Sequence, residues 1–148
     1  LHLGAVLAAP DRSDELLPAL SGYGLPLGDA FQMRDDVMGA FGDTELTGKP
    51  VGGDLREGKP TPLLARAVRA STPDQRAILD LVGQPSIDDD TVARIQQTIV
   101  DTGALDDLEK HIADLTVEAV QAIAAAPIAE IAKTELTALA DYVSWRTV

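Results

Sequence analysis

Two adjacent carboxylates, Asp35 and Asp36, lie on a segment whose apolar residues follow a helical pattern. On a helix of 3.6 residues per turn, Gln32 falls on the same side, one turn earlier. Carboxylates this close repel each other, so they need a cation or a basic neighbour. Mg²⁺ binds a few carboxylate oxygens and takes water and phosphate oxygens as its other ligands. The pair therefore predicts a site for Mg²⁺ bound to a diphosphate, although adjacent acids are also typical of a solvated helix surface.

Two lysines on the glycine-rich segment that follows, Lys49 and Lys59, favour the same chemistry. Lysine binds phosphate as a flexible point charge. Glycines let the backbone approach an anion closely and let a loop close over it. Either lysine alone fits a solvated surface equally well. A metal, a diphosphate and two lysines together form a coherent cluster of charges, so the combination predicts an anion site.

The composition indicates helices as the elements that position these residues. Hydrophobic residues make up 45% of the 148 residues and aromatic residues only 3%, which favours helix over sheet. A net charge of −12 argues against a nucleic-acid partner, and the lack of cysteine excludes disulfides and thiolate metal sites. No run of about 18 apolar residues is present, so we expect no membrane span and a cytoplasmic location.

The predicted elements follow from apolar spacing and from capping residues. Thr72 and Gln75 form a predicted capping box, and the acids from Asp88 onward suit the start of a helix better than a metal site. Gly22 and Gly24 leave two readings open: a helix ends there, or two helices approach closely. Without strand-period alternation, the chain is predicted to be one all-α domain. Predicted helices cover 1–9, 11 or 13 to the glycines, 25–41, a stretch from 62 past 68, 73–82, 88–102, 105–126 and a last one ending near 145, with most of 42–58 as loop.

In order and spacing, the motifs FQ, RDD, TGK and DLREGK resemble those of the trans-isoprenyl (polyprenyl) diphosphate synthases, most closely the geranylgeranyl-type enzymes of high-GC Gram-positive bacteria. Specific motifs cover about residues 1–70, and the remainder is similar by helical pattern only. The resemblance implies an isoprenoid synthase-type helical bundle, with residues 1–148 as its C-terminal portion. It also implies a homodimer for the full-length protein.

The resemblance assigns roles to the acids and to the residues beside them. Asp35 and Asp36 match the second aspartate-rich motif, which binds the Mg²⁺ that bridges to the allylic diphosphate. Gln32 matches the glutamine that lines the allylic substrate site, and Phe31 would border the prenyl chain.

The glycine-rich segment receives roles from the same resemblance. Lys49 and Lys59 match lysines placed against the allylic diphosphate, so Lys49 joins the two acids as a predicted catalytic residue. Asp54 matches the aspartate of DLREGK and would orient the loop or a lysine. The sequence departs from the family's DDxxD pattern at Gly39, where the third aspartate would stand, and Asp43 is one candidate to replace it.

The implied reaction is the condensation of isopentenyl diphosphate with an allylic diphosphate to give a longer polyprenyl diphosphate. In the family, metal ions draw the diphosphate off the allylic substrate, the double bond of isopentenyl diphosphate attacks the resulting allylic cation, and a proton is then lost. The family's first aspartate-rich motif is not found in the chain, which starts at Leu1 inside an apolar run. We therefore expect a fragment that is inactive alone.

Two alternatives keep the fold and change the function. Class I terpene cyclases share the all-α architecture and use aspartate-bound metals, but they lack the TGK and DLREGK motifs as they stand in this sequence. A non-catalytic partner subunit of a heteromeric prenyl synthase would retain the fold and lose activity. Gly39 is the one feature that favours it, whereas the intact acids and lysines argue against it.

Overall fold

A computed structural model describes residues 2–42 and 52–145, and every described element is helical. A single 3₁₀ turn, Pro10–Arg12, lies between the first two helices. None of the described helices combines the length and the apolar character that a membrane crossing requires. The predicted all-α class is confirmed. The helices are α1 His2–Ala8, α2 Ser13–Phe41, α3 Gly53–Glu57, α4 Pro62–Ala70, α5 Pro73–Leu79, α6 Asp89–Asp101, α7 Ala104–Ala124 and α8 Glu130–Trp145.

The chain divides into two compact units. The first holds the residues up to Gln32 together with those from His111 to Trp145, and the second holds Met33–Lys110. Each of the two longest helices, α2 and α7, contributes residues to both units. The predicted site residues therefore divide between the two units. Phe31 and Gln32 belong to the first unit, and the two predicted metal-binding acids of α2, the short helix α3 and Lys59 belong to the second.

The first unit is held by α2, α7 and α8 around an apolar core. Tyr23 is fully buried, and its hydroxyl donates a hydrogen bond of 2.7 Å to the carbonyl oxygen of Leu136. Burial raises the pKa of the Tyr23 hydroxyl, so it stays a donor at neutral pH. A buried hydrogen bond between Thr116 and Ser144 joins α7 to α8. The core residues are Leu16, Leu20, Tyr23, Leu27, Ala119, Ile123, Ala126 and Ala140.

Gly22 lies where α2 packs closely against α7. A Cβ atom on Gly22 would lie 3.1 Å from the Cβ atom of Ala122 on α7, which is tighter than nine in ten real Cβ contacts. The helix continues through this point and through Pro18 and Pro26 to Phe41. The second of the two readings is therefore correct, and a helix end near Gly24 is wrong. Packing of α2 against its neighbours outweighs the weak intrinsic propensity of these residues.

The second unit is built from short, well-capped helices. Thr72 and Gln75 form the predicted capping box, with hydrogen bonds of 3.3 and 2.9 Å. Asp88 caps α6 by accepting a hydrogen bond of 2.9 Å from the backbone N–H of Thr91. The side chain and backbone of Thr91 lower the pKa of Asp88, which confirms that this acid belongs to a helix start. Buried apolar residues of the unit include Leu55, Leu63, Ala67, Leu79, Val92, Ile95, Ile99 and Leu108.

The prediction of loop over most of 42–58 needs a correction at its C-terminal end. Residues Gly53–Glu57 form the helix α3. It begins after Gly52 (φ 67°) and ends at Gly58 (φ 69°), both in the left-handed conformation that favours glycine. Glycine thus marks both ends of one helical turn here, rather than a continuous loop.

Candidate functional site

The second unit brings together an acid of α2, an acid of α3 and the lysine that follows α3. The Nζ atom of Lys59 donates hydrogen bonds of 3.1 Å to Oδ1 of Asp36 and 2.9 Å to Oδ2 of Asp54. Asp36 is buried, with 8% of its surface exposed, whereas 47% of the Lys59 side chain is exposed. The hydrogen bonds that Lys59 donates to Asp54 and to Asp36 raise the pKa of Lys59, so the ammonium stays charged at neutral pH. Two carboxylates from different elements therefore share one cation.

The short helix α3 fixes the positions of Asp54 and Lys59 relative to each other. The backbone N–H groups of Gly58 and Lys59 donate to the carbonyl oxygen of Asp54, so the acid and the lysine are joined through the main chain as well as through their side chains. Within the helix, Leu55 is buried. Because these groups sit within six residues, the position of α3 sets the position of the Lys59 ammonium.

Contacts with the turn after α5 hold α3 in place. The backbone N–H of Gly83 donates a hydrogen bond of 2.9 Å to the carbonyl oxygen of Leu55. A Cβ atom on Gly58 would lie 2.8 Å from the Cα atom of Gly83, so the two backbones meet where neither residue has a side chain. Arg56 donates a hydrogen bond of 2.6 Å to the carbonyl oxygen of Ile87 and pairs with Asp89 at the start of α6. Three kinds of contact therefore position the lysine.

On α2, the residue before the acid pair is fixed by an ion pair that the sequence did not predict. Arg34 is buried, and its guanidinium donates two hydrogen bonds, of 2.6 and 2.5 Å, to the two carboxylate oxygens of Glu109 on α7. Arg34 is therefore not an ordinary surface residue. Bidentate pairing is the geometry in which arginine and carboxylate bind most specifically. The partners are 75 positions apart in sequence, so spacing gave no signal, and only the apolar residues one helical turn before and after Arg34 hinted that it needs a partner.

Gly39 lies against Asp54. A Cβ atom on Gly39 would lie 2.3 Å from Oδ2 and 2.4 Å from Cγ of Asp54, distances that real Cβ atoms essentially never show. The carboxylate of Asp54 therefore occupies the space beside α2 that a side chain at position 39 would take. This position is one turn after Asp35 and Asp36.

The remaining predicted residues are placed separately or not described. Asp35 is half-buried on α2, next to Asp36. Phe31 is half-buried and Gln32 is exposed, both on α2 within the first unit. Lys49 and Asp43 lie outside the described residues, so their predicted roles stay predictions. The structure thus brings together Asp36, Asp54 and Lys59 out of the predicted set, with Asp35 adjacent in sequence.

The donor atoms of the cluster fit a hard divalent cation. Asp36 and Asp54 direct carboxylate oxygens at a common positive group, the Lys59 ammonium, and Asp35 is the residue before Asp36 on α2. In the part of the chain that the structure describes, no three or more acids and histidines assemble into a closed metal cage. An open site of one or two carboxylates is what Mg²⁺ uses when water and phosphate oxygens supply its other ligands. The residues present therefore fit Mg²⁺ held jointly with a diphosphate.

Comparison with known proteins decides the family. The family model described as polyprenyl synthetase matches residues 1–99. The chain belongs to the polyprenyl synthetase family. The predicted family is thereby confirmed, and the matched region includes Asp35, Asp36, Lys49, Asp54 and Lys59. Among curated relatives, the geranylfarnesyl diphosphate synthase of Aeropyrum pernix is 37% identical over 143 residues, which is 96% of this chain and 43% of the relative. The geranylgeranyl diphosphate synthase of Saccharolobus solfataricus is 34% identical over 110 residues, covering 72% of this chain and 33% of the relative.

Solved structures of the family share the fold. A geranylgeranyl pyrophosphate synthase from Corynebacterium glutamicum, complexed with isoprenyl diphosphate and magnesium, superimposes with a TM-score of 0.82 at 37% identity, over 87% of this chain and 37% of that one. A polyprenyl synthase from Caulobacter crescentus, complexed with calcium and isoprenyl diphosphate, has a TM-score of 0.77 at 36% identity, over 88% of this chain and 40% of that one. The predicted isoprenoid synthase-type fold is confirmed. The chain spans less than half the length of these relatives.

Proposed function

We propose that this chain takes part in prenyl transfer, the condensation of isopentenyl diphosphate with an allylic diphosphate to give a longer polyprenyl diphosphate. Its similarity to prenyl diphosphate synthases supports the reaction class, and two of the similar structures were solved with isoprenyl diphosphate and a divalent cation. The observation that carries the proposal is the convergence of Asp36 and Lys59, which are 23 residues apart, at the positions predicted to bind the metal and the diphosphate.

In the proposed site, Asp35 and Asp36 would hold Mg²⁺ and Lys59 would bind the diphosphate directly. The Lys59 ammonium has three N–H donors, of which two are directed at Asp36 and Asp54. The third can bind a phosphate oxygen, since almost half of the side chain is exposed. Lys49, on the glycine-rich segment, would add a second positive charge to the same diphosphate.

The residues act on the charge of the leaving group. When the bond between the allylic carbon and the diphosphate oxygen breaks, negative charge grows on that oxygen. Mg²⁺, when bound, neutralises part of this charge. Lys59 is pre-positioned by two carboxylates, so its charge needs little rearrangement during the step. Phe31 and Gln32 would line the allylic substrate on the preceding turn of α2.

We further propose that the 148-residue chain does not turn over by itself. It contains one acid pair on a helix matched to the family's metal motif, and the two-substrate reaction needs ligands for a second diphosphate. In full-length relatives the remaining sequence is more than half of the protein. A homodimer is the expected state of the full-length protein.

A chimera tests the proposed function. This chain replaces the matching 37% of the Corynebacterium glutamicum synthase, and the product is assayed with isopentenyl diphosphate, an allylic diphosphate and Mg²⁺. The expected result is chain elongation that is lost on Asp36→Asn, whereas the isolated chain forms no product. Cyclic products would favour a terpene cyclase. A folded chimera without elongation activity would favour the non-catalytic subunit and overturn the proposal, and turnover by the isolated chain would refute its inactivity.

A further inference from the structure

We propose that Gly39 is a positioning residue, because the lack of a side chain there admits the Asp54 carboxylate to the face of α2 where it shares Lys59 with Asp36. The packing inference stands on geometry alone. Its consequence for diphosphate binding rests on the proposed function. The same packing explains the departure from the DDxxD pattern, since Asp54 of α3 fills the place of the third aspartate.

The geometry leaves no room for any other residue at position 39 while Asp54 keeps its place. The three nearest atoms to an added Cβ are Oδ2, Cγ and Oδ1 of Asp54, at 2.3, 2.4 and 2.9 Å. All three belong to the carboxylate, and none belongs to a backbone. An added methyl group would therefore move the carboxylate and leave α2 intact.

Moving the carboxylate changes the lysine site, because the Asp54 backbone cannot follow. Its carbonyl oxygen is held by the N–H groups of Gly58 and Lys59, and α3 is anchored through Leu55 and Gly83. Only rotation of the short side chain remains, and this takes Oδ2 away from Nζ of Lys59, which it contacts at 2.9 Å. A substitution at Gly39 should therefore reproduce the loss of the Asp54 side chain.

The contact between Gly39 and Asp54 removes the support that Gly39 gave to a non-catalytic subunit. In a subunit that had lost its site, a glycine in place of an acid would leave a gap. In this chain an acid from α3 fills the position and contacts the predicted phosphate-binding lysine. The glycine is thus matched to Asp54, and the two positions form one structural unit.

A double-mutant cycle on the full chain tests the coupling. The variants are Gly39→Ala, Asp54→Ala and the double variant. Gly28→Ala is the matched control, because Gly28 lies on the same helix and an added Cβ there has no neighbour within 4 Å. Alanine stabilises a helix relative to glycine. Gly28→Ala in the unsubstituted chain and Gly39→Ala in the Asp54→Ala background should raise the melting temperature by similar amounts. Gly39→Ala alone should raise it less or lower it, and equal effects in both backgrounds would overturn the proposal.

Titration with magnesium pyrophosphate provides a second readout. Gly39→Ala and Asp54→Ala should raise the dissociation constant for magnesium pyrophosphate by the same factor, about tenfold for the loss of one charge-assisted hydrogen bond. The double variant should show no further change, because both substitutions remove one contact. Additive changes would refute the coupling. If the unsubstituted chain binds no magnesium pyrophosphate, the proposed function fails, while the melting-temperature cycle still decides the role of Gly39.

Discussion

The ion pair between Arg34 and Glu109 gives the sharpest prediction of stability in the second unit. Substitution Glu109→Gln keeps the size and one acceptor oxygen of the side chain, and it removes the negative charge that faces the buried guanidinium. Two hydrogen bonds, of 2.6 and 2.5 Å, join the partners at present. The Arg34 side chain is 9% exposed and the Glu109 side chain 31% exposed. The substitution therefore leaves a buried positive charge with a weaker acceptor.

The size of the effect follows from burial. Removing one partner of a fully buried ion pair destabilises a protein by about 3–5 kcal/mol. Glu109 is partly exposed, so water can replace part of the lost interaction, and glutamine retains one acceptor. We expect the free energy of unfolding to fall by about 2 kcal/mol, since hydrogen bonds to charged groups contribute about 1.5–3 kcal/mol each. For a chain of this length, the melting temperature should fall by roughly 4–8 °C.

Thermal and urea unfolding at neutral pH measure the change, with Asp80→Asn as the matched control. Asp80 pairs with Arg76 at 2.7 Å, but these side chains are 59% and 52% exposed. Exposed pairs contribute about 0–1 kcal/mol, so the control should change stability by less than about 0.5 kcal/mol. Equal effects of the two substitutions would show that the burial of Arg34 does not increase the contribution of its ion pair to stability, which would contradict the prediction.

Three further predictions concern the site and the helices around it. Lys59→Met should weaken binding of magnesium pyrophosphate about tenfold or more in calorimetric titration. The control Lys110→Met, at an exposed lysine, should leave the affinity unaltered. A larger loss of affinity for Lys110→Met than for Lys59→Met would exclude Lys59 from the anion site. Because the cap of α6 lowers the pKa of Asp88, its stabilisation is present above the unfolded-state pKa and lost as pH falls through the folded-state pKa. The melting temperatures of the chain and its Asp88→Ala variant should therefore differ at neutral pH and converge near pH 2, and a constant difference would argue against a charged cap. Gly22→Ala should destabilise the chain, since the added Cβ meets α7 at 3.1 Å. Gly24→Ala, whose added Cβ has nothing within 4 Å, should stabilise the chain by up to about 1 kcal/mol. Calorimetric melting curves that rank the two variants oppositely would contradict the close packing of α2 on α7.

The sequence predicted those features that depend on local chemistry. The capping box at Thr72 and the helix start at Asp88 involve residues three apart, so their hydrogen bonds can be read from spacing. The fold class followed from apolar periodicity and composition. The family followed from the motifs between Phe31 and Lys59, and the matched region of the family model includes them.

Features that depend on tertiary packing were not predictable from spacing. The helix α3 forms because Gly52 and Gly58 take left-handed conformations while its turn docks on Gly83, more than 20 residues later. The partner of Arg34 is 75 residues away on another helix. α2 continues past Gly22 because α7 packs there, although the same residues would weaken an isolated helix.

The site itself was predictable by residue type and only partly by geometry. Asp36 and Lys59 were expected to share one anion site, and the structure places them 3.1 Å apart. The contact of Asp54 with Gly39 was not anticipated, because a glycine in a motif position has no side chain to suggest a partner. The predicted roles of Lys49 and Asp43 lie outside the described residues and stay predictions.

The proposed function requires that Asp35, Asp36 and Lys59 bind a metal-bridged diphosphate. A crystal structure of the chain with pyrophosphate and Mn²⁺ in place of Mg²⁺ tests it most directly, because anomalous scattering locates the metal. The account predicts a metal peak at carboxylate oxygens of the acid pair, with a pyrophosphate oxygen bound to both the metal and the Nζ atom of Lys59. A metal and pyrophosphate bound away from these three residues would contradict it.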